Sequence, residues 1–520
     1  SGSLGGGGGG GGARASAERR WELVEKRTTL NVLDGLKSLK AFNVTIVGTV
    51  DTRATDPEDL DTIREMLEAE GCVPLFTPRV PGKGGAADGP PQLHTTGTTL
   101  SEDTLWPLFH YIPLSTLEAD FSDTQRAQWD EYERMNRVFA DAVSSRVRDE
   151  TADLVWVHDY QCMLVPSMLR ERWAKLRVGW FLHTPFPSSE MYLTLPRRRE
   201  ILRGVLSANL IGFHIYDYVR HFMNACMRVL ATDITVDHKY VMDSLNRQAS
   251  AVDAFPNGID PGRYARALKT NAVKDLIIDL QRHFDGKRIV LGLDLLDFVK
   301  GIPHKLMAYE KFLADYPAWR GRVTLVQIAV PPDVDNAPLQ KLKNKVHKLV
   351  GRINGRFGTL EHSPIHYLDQ AISFDQQVAL TFLADVAMIT SLREGMSHTA
   401  FEFIACQEKN HGVLILSEFA GAAQALGSGA IMVNPLHTDD MAAAIDTALG
   451  MGAREREERH SRMLEYVQKF TAAYWADNFC TEMLTQELDL AVTHQLDALS
   501  VPSPLAPAAV WAGAGGGWRS

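Results

Sequence analysis

Short apolar runs rich in β-branched residues alternate with longer amphipathic stretches along most of the chain. Val44–Gly48 reads as a strand ending in glycine, and Asp59–Glu70 as an amphipathic helix. Leu154–Asp159, Arg177–His183 and Leu210–His214 are further apolar runs, each closing on a polar residue. Continuous apolar runs of this kind suit parallel strands covered on both faces. In open α/β sheets the residues at the carboxyl ends of strands face the ligand crevice. Asp159, His183 and His214 stand at such ends.

The alternation restarts after Asp260. Arg288–Leu293, Val323–Val330, Val386–Thr390 and Val413–Leu416 read as strands, with helices at Pro303–Tyr316 and near Leu339–Phe357. Proline, asparagine and glycine cluster at Phe255–Pro261, which marks a boundary between two α/β halves. The expected organisation is a glycine-rich arm (1–20), an N-terminal Rossmann-like domain on the acceptor side (21–258), a C-terminal Rossmann-like domain (259–490) and a flexible tail (491–520). The closing helical stretch, Arg454–Leu490, is a candidate to return to the N-terminal domain. The fold class is α/β, with two doubly wound domains facing a crevice, a preferred place for a small-molecule site.

Composition narrows the function classes. The 520 residues are 45% hydrophobic and 23% charged, as in an ordinary globular protein. No run of roughly 18 apolar residues occurs, so no membrane span or membrane partner is expected. A net charge of −10 argues against a nucleic-acid partner, but not against a local pocket for an anion. The five cysteines are scattered and form no C-x-x-C, which fits a reducing, cytoplasmic setting. No metal site and no cofactor are expected. Gly5–Gly12 forms a low-complexity arm, and Gly82–Thr99 a glycine- and proline-rich loop expected to be mobile.

Three segments carry candidate chemistry. In the first, the strand Val386–Thr390 runs through Glu394 and the turn Gly395-Met396-Ser397-His398 into a helix bearing Glu402. Free amides at a helix start favour an anion. Glu394 and Glu402 are spaced a little over two helical turns apart, suited to the two ends of one extended ligand; the bland alternative is a capped surface helix with two solvated glutamates. In the second, Asp294–Pro303, Lys300 precedes a glycine and a helix-starting proline, where a lysine can neutralise a phosphate. In the third, His183 sits in a proline-bound loop, Phe181–Glu190.

On these residues the chain resembles the trehalose-6-phosphate synthase family, retaining glycosyltransferases of the GT-B fold. The likeness spans roughly Leu30–Leu490. It rests on Leu105–Tyr111, Trp156–Tyr160, Phe181–Glu190, Ile211–His214, Val350–Gly358, Leu416–Gln424 and Val433–Pro435. The resemblance implies glucose transfer from UDP-glucose to glucose-6-phosphate, without a required metal. It implies that Glu402 holds the ribose of UDP. Gly395, Met396, Ser397 and His398 present amides to the diphosphate. Glu394 meets the donor sugar, and Lys300 neutralises the departing diphosphate. Asp159 and His183 line the sugar side of the crevice, and Trp106 lies near the acceptor.

The chain also departs from the family pattern. Leu295 stands where active members carry an arginine, and Asp333 where an acceptor arginine is expected. No tryptophan follows Val44–Gly48, the acceptor-side tyrosine is replaced around Gly97, and no Asn-Arg-Leu-Pro segment precedes Trp21. These departures gather on phosphate-binding positions, which makes the glucose-6-phosphate site doubtful. The favoured expectation is therefore a catalytically impaired member that binds UDP-glucose or UDP. It would act as a regulatory or scaffolding partner of other trehalose-synthesis subunits. The alternative is an active glucosyltransferase in which His398 or Arg393 supplies the missing cation.

Overall fold

The computed structural model describes residues 30–50, 57–76, 100–113, 121–234, 239–243, 248–332 and 337–499. The glycine arm, the loop 82–99, Asp333 and the tail 501–520 lie outside them, as do Trp21, Asp51, Thr52 and Gly97.

Each apolar run named above holds a strand, and six further strands (72–75, 233–234, 240–243, 248–254, 365–368 and 431–433) lie outside those runs. β1 (Ile46–Thr49) and β2 (Cys72–Leu75) form a parallel pair. Next come β3 (Leu154–His158), β4 (Arg177–Phe181), β5 (Leu210–Phe213), β6 (Asp233–Ile234), β7 (Tyr240–Asp243) and β8 (Gln248–Ala254). They form one sheet in the order β3-β4-β5-β8-β7-β6, parallel from β3 to β8 and antiparallel at the β7 and β6 edge. The second sheet holds β9 (Arg288–Leu295), β10 (Val323–Val330), β11 (Ile365–Leu368), β12 (Val386–Ile389), β13 (Val413–Ser417) and β14 (Ile431–Val433). Its order is β11-β10-β9-β12-β13-β14, and every recorded pairing is parallel.

That order is third, second, first, fourth, fifth, sixth, the doubly wound arrangement. The winding reverses between β9 and β12, so the loops leaving their carboxyl ends part and open a crevice. Separate apolar clusters cover the two faces of the second sheet, one around Ile328, Phe401 and Leu416 and the other around Leu306, Tyr309 and Leu325. Burial on both faces explains why these strands read as unbroken apolar runs rather than alternating ones.

The closing stretch is two helices, Ala453–Lys469 and Ala472–Leu499, rather than one. The chain bends at Phe470 because the boundary segment lies against it. A Cβ on Gly258 would come within 1.9 Å of the Phe470 carbonyl oxygen, so only glycine permits this approach. The Ala472 amide then donates to the Ile259 carbonyl at 3.0 Å. From that bend the last helix packs on β4 and β5. Phe479 is fully buried and stacks on Trp156 with ring centroids 4.2 Å apart. Gly179 and Gly212 make room for it, since a Cβ at either would sit under 3 Å from the Phe479 ring. A segment late in the sequence thereby completes the core of the first sheet.

Removing the Phe479 ring leaves a cavity between that helix and the sheet. Phe479→Ala is expected to cost about 3–5 kcal/mol in chemical denaturation. Leu436→Ala, at a position 64% exposed, is expected to stay within about 0.5 kcal/mol of the parent protein.

Candidate active site

The loops after β9 and β12 are tied together by backbone geometry. Gly301 has φ 68°, and a Cβ there would strike the Thr390 carbonyl oxygen at 2.0 Å. The Thr390 hydroxyl donates to the carbonyls of Lys300 and Gly301, both at 3.2 Å, and the Leu392 amide donates to the Val299 carbonyl at 2.6 Å. These contacts bring the Lys300 ammonium into an ion pair with Glu394 Oε1. Ser391 donates to Glu394 Oε2 at 2.6 Å. Burial pushes the Glu394 carboxyl upward, but Lys300 and Ser391 outweigh it and hold the group below the usual range. Burial likewise pulls the Lys300 ammonium down, and Glu394 more than restores it. Both groups stay charged, one neutralising the other.

Glu394 does not lie on the helix that follows. The helix begins at His398, so the two-turn spacing to Glu402 does not apply. Glu394 instead sits in a loop bridged to Ala420, and Glu402 lies in the second turn of the helix. Nor are these solvated glutamates. The Glu394 side chain is 14% exposed, while Glu402 is 4% exposed and accepts a hydrogen bond from Gln377 at 2.6 Å. Ser397 takes the N-cap position with no side-chain cap, so the helix amides keep their capacity for an anion. The Met396 side chain belongs to the core, which leaves its backbone as the part facing the turn.

The first sheet supplies the opposite wall. Asp159 follows β3 with φ 67° and ψ 176°, a conformation almost confined to glycine. Strain of this kind collects at functional sites. Asp159 Oδ1 accepts from the amides of Tyr160 at 3.1 Å and His183 at 3.4 Å, yet burial dominates and pushes the carboxyl up to about 7. His158 Nδ1 lies 3.1 Å from His183 Nε2, and the His183 and His214 rings are 5.5 Å apart. Burial pulls His158 down to about 4 and His214 to about 3. It carries His183 well below the ordinary value, aided by His158, His214 and His398. These rings are neutral at pH 7.

The two walls meet at Gly395. A Cβ there would lie 2.1 Å from the His183 carbonyl oxygen, and one on Gly421 would lie 1.8 Å from the Gly395 carbonyl oxygen. Tyr218 donates to the Glu394 carbonyl at 3.1 Å, and the Gln424 amide donates to Asp217 at 3.1 Å. Arg393 is held between the rings of Tyr111 and Phe419, 4.7 and 4.5 Å from their centroids. The Trp106 ring packs on His110 at 4.4 Å. Burial holds His110 down to about 4, and both Lys300 and Glu394 act on it, which places the Trp106 helix beside the ion pair.

Asp159, His183, Lys300, Glu394, Gly395, Ser397 and His398 thus gather around one crevice, with Glu402 one turn further along the helix. His110, His158, Tyr218, Ser391 and Gln377 join them without having been singled out in sequence. His110 caps the Trp106 helix at its C-terminus, with its Nδ1 2.8 Å from the Trp106 carbonyl oxygen. Leu295 lies half-buried at the end of β9.

Two α/β halves, the second of them doubly wound, meet over a charged helix start, the arrangement of glycosyltransferases of the GT-B class. The chain belongs to glycosyltransferase family 20, whose profile matches residues 12–485. It is 43% identical to an Arabidopsis thaliana relative named alpha,alpha-trehalose-phosphate synthase [UDP-forming] 1, over 91% of this chain and 48% of the relative. A Schizosaccharomyces pombe relative named alpha,alpha-trehalose-phosphate synthase [UDP-forming] is 41% identical over 87% of this chain and 84% of its own length. The chain thus spans about half the length of the first plant relatives it matches, 48% and 55%. The N-terminal domain of Candida albicans trehalose-6-phosphate phosphatase superposes with a TM-score of 0.77 at 31% identity, covering 88% of this chain and 93% of that one. An Escherichia coli structure described as bound with UDP-2-fluoro glucose superposes at 0.71 and 29% identity, covering 85% and 98%.

The buried histidines carry a pH signature. Between pH 6.5 and about 4 the unfolded chain protonates His158 while the folded chain does not, so stability falls as pH falls. Asp159 acts in the opposite direction: its raised pKa favours the folded state at low pH, and that contribution is lost as pH rises towards 7. His158→Gln is expected to flatten the acid limb of a denaturation-versus-pH profile by up to about 1.4 kcal/mol per pH unit. An unchanged limb would show that the His158 ring is not buried as a neutral base.

Proposed function

We propose that the chain is a UDP-forming glucosyltransferase that moves glucose from UDP-glucose to glucose-6-phosphate with retention, giving trehalose 6-phosphate. The observation that carries this reading is the Lys300–Glu394 pair facing an uncapped helix start where the winding of the second sheet reverses. Breaking the bond between the glucosyl anomeric carbon and the diphosphate leaves an added negative charge on UDP. Cations and amides already in place stabilise that charge without reorganising, which lowers the barrier. The names of the plant and fission-yeast relatives support the same reaction. In this reading Glu402 holds the ribose, the amides of the 395–398 turn meet the diphosphate, and Glu394 meets the donor sugar. Asp159 and His183 line the sugar side, with Trp106 towards the acceptor.

The expectation of an impaired, regulatory protein has one structural observation in its favour. Leu295 puts an apolar side chain at the end of β9, close to the Lys300 loop. The relatives' names weigh against it and favour the active reading. No helix among the described residues is long and apolar enough to cross a membrane. The free cysteines accord with a cytoplasmic setting.

UDP release from UDP-glucose, measured with and without glucose-6-phosphate, tests the reading. The expected result is acceptor-dependent turnover of about 1 s⁻¹ or faster. Lys300→Ala is expected to lower kcat/KM by about 10²- to 10³-fold. A folded protein with no acceptor-dependent UDP release would instead support the regulatory reading.

A further inference from the structure

One sequence motif lies outside the crevice. Val350–Gly358, a segment on which the family resemblance rests, ends the helix Ala337–Phe357. That helix leaves the carboxyl end of β10 and returns to the amino end of the parallel strand β11. The motif therefore stands at the far end of the sheet from the crevice.

The helix carries Lys341, Lys343, Lys345, Lys348, Arg352 and Arg356 and no acidic residue, in a chain whose net charge is −10. Some of these cations are matched inside the fold. Lys343 pairs with Asp369 at 2.6 Å, and Arg352 and Arg356 share Glu310. Lys341, Lys345 and Lys348 are exposed and pair with no acid among the described residues. With Arg352 they follow the spacing i, i+4, i+7, i+11, which is one face of a helix. Together with Asn344 and the buried Leu349 they line a groove of about 480 Å³.

This face works against the helix that bears it. Like charges four residues apart repel, and no acid in the first turn meets the helix dipole. Gly351 and Gly355 border the same face, and a Cβ on either would meet nothing within 4 Å. Alanine would fit both positions and favour the helix, so packing within the chain does not account for these glycines. Both features suit a partner backbone: the cations grip its side chains, and the missing Cβ atoms let it come close.

We propose that the outer face of this helix docks an extended acidic segment of a partner protein, with a carboxylate at every second residue. The period selects an extended chain. Successive cations lie about 4.5 to 6 Å apart along the helix axis, and side chains on one face of a strand recur about every 6.6 Å. Flexible lysine stems take up the difference. A long nucleic-acid strand would meet the negative chain beyond this face. A short peptide stays within the field of the stripe, which salt limits to about 8 Å.

The probe is a fluorescein-labelled heptapeptide of alternating Glu and Ser, titrated with the full chain by fluorescence anisotropy. The expected result is saturable binding whose Kd rises with salt. K345E/K348E raises Kd by about tenfold or more. The charge-matched K274E/K409E, at exposed lysines elsewhere, leaves it unchanged. G351A/G355A separates docking from helix stability: the thermal midpoint rises while binding weakens. A peptide of the same composition with its Glu residues adjacent binds more weakly. No saturable binding by the folded parent protein overturns the proposal, and so does an equal loss in K274E/K409E. K345Q/K348Q supplies the same comparison should charge reversal prevent folding. Equal affinity for the adjacent-Glu peptide, or unchanged binding in folded G351A/G355A, also overturns it. Tighter binding of an oligonucleotide of equal charge assigns the face to nucleic acid instead. Self-association of the parent protein in sedimentation, lost in K345E/K348E, assigns it to a second copy; either result overturns the peptide partner.

Discussion

The crevice depends on one close approach of backbone to backbone. Gly395 brings the loop after β12 against the carbonyl of His183, and Gly421 brings the loop after β13 against Gly395 in turn. A side chain at Gly395 would force the two walls apart. With glycine, the Lys300–Glu394 pair of one half comes to lie over the histidines of the other, and Tyr218 crosses between them. Contacts among main-chain atoms hold this geometry more tightly than flexible side chains would, which suits a site whose groups must stand ready for charge.

Burial then decides the ionisation of the site. The groups of the first wall are driven to their neutral forms: His158, His183 and His214 lose their protons, and Asp159 titrates near 7. The groups of the second wall stay charged because they are paired. One wall is therefore neutral and hydrogen-bonding, as suits sugar hydroxyls, and the other carries fixed charge, as suits a phosphate. The division matches the division of substrate chemistry in the proposed reaction. A comparable pair lies beneath the site, where the fully buried Lys305 meets Asp294 at 2.5 Å and Gln327 donates to the same carboxylate at 2.8 Å. Both partners of that pair are out of water, so neither is removable alone without stranding the other.

The last helix ties the packing of the first sheet to the walls of the crevice. It leaves the second half at Phe470, crosses at Gly258 and fills the first sheet with Trp475 and Phe479. The same rings pack on the histidine wall of the crevice, since Trp475 lies 5.8 Å from His183 and 6.1 Å from His158. The histidines are thus backed by the packing that joins the halves. A change that loosens this helix acts on the site without touching a substrate.

Local pattern determined much of this protein. Apolar runs located the main strands, because a strand buried on both faces has no polar alternation to hide it. Residues at strand ends identified Asp159, His183 and His214, because doubly wound sheets expose those ends to the crevice. The Lys300 loop and the turn at Gly395 were legible from glycine, proline and charge. Tertiary structure alone decided the rest. Glu394 is eight residues from Glu402 in sequence but lies off the helix, since a bridge to Ala420 holds it in a loop. Its partner is Lys300, ninety-four positions away. His158 and His110 joined the site, and were driven to their neutral forms, only when other elements buried them. The reach of Phe479 into the first sheet lay outside any local window. Sequence pattern reports which face of an element is buried; it carries no record of which distant charge or ring that burial brings beside it.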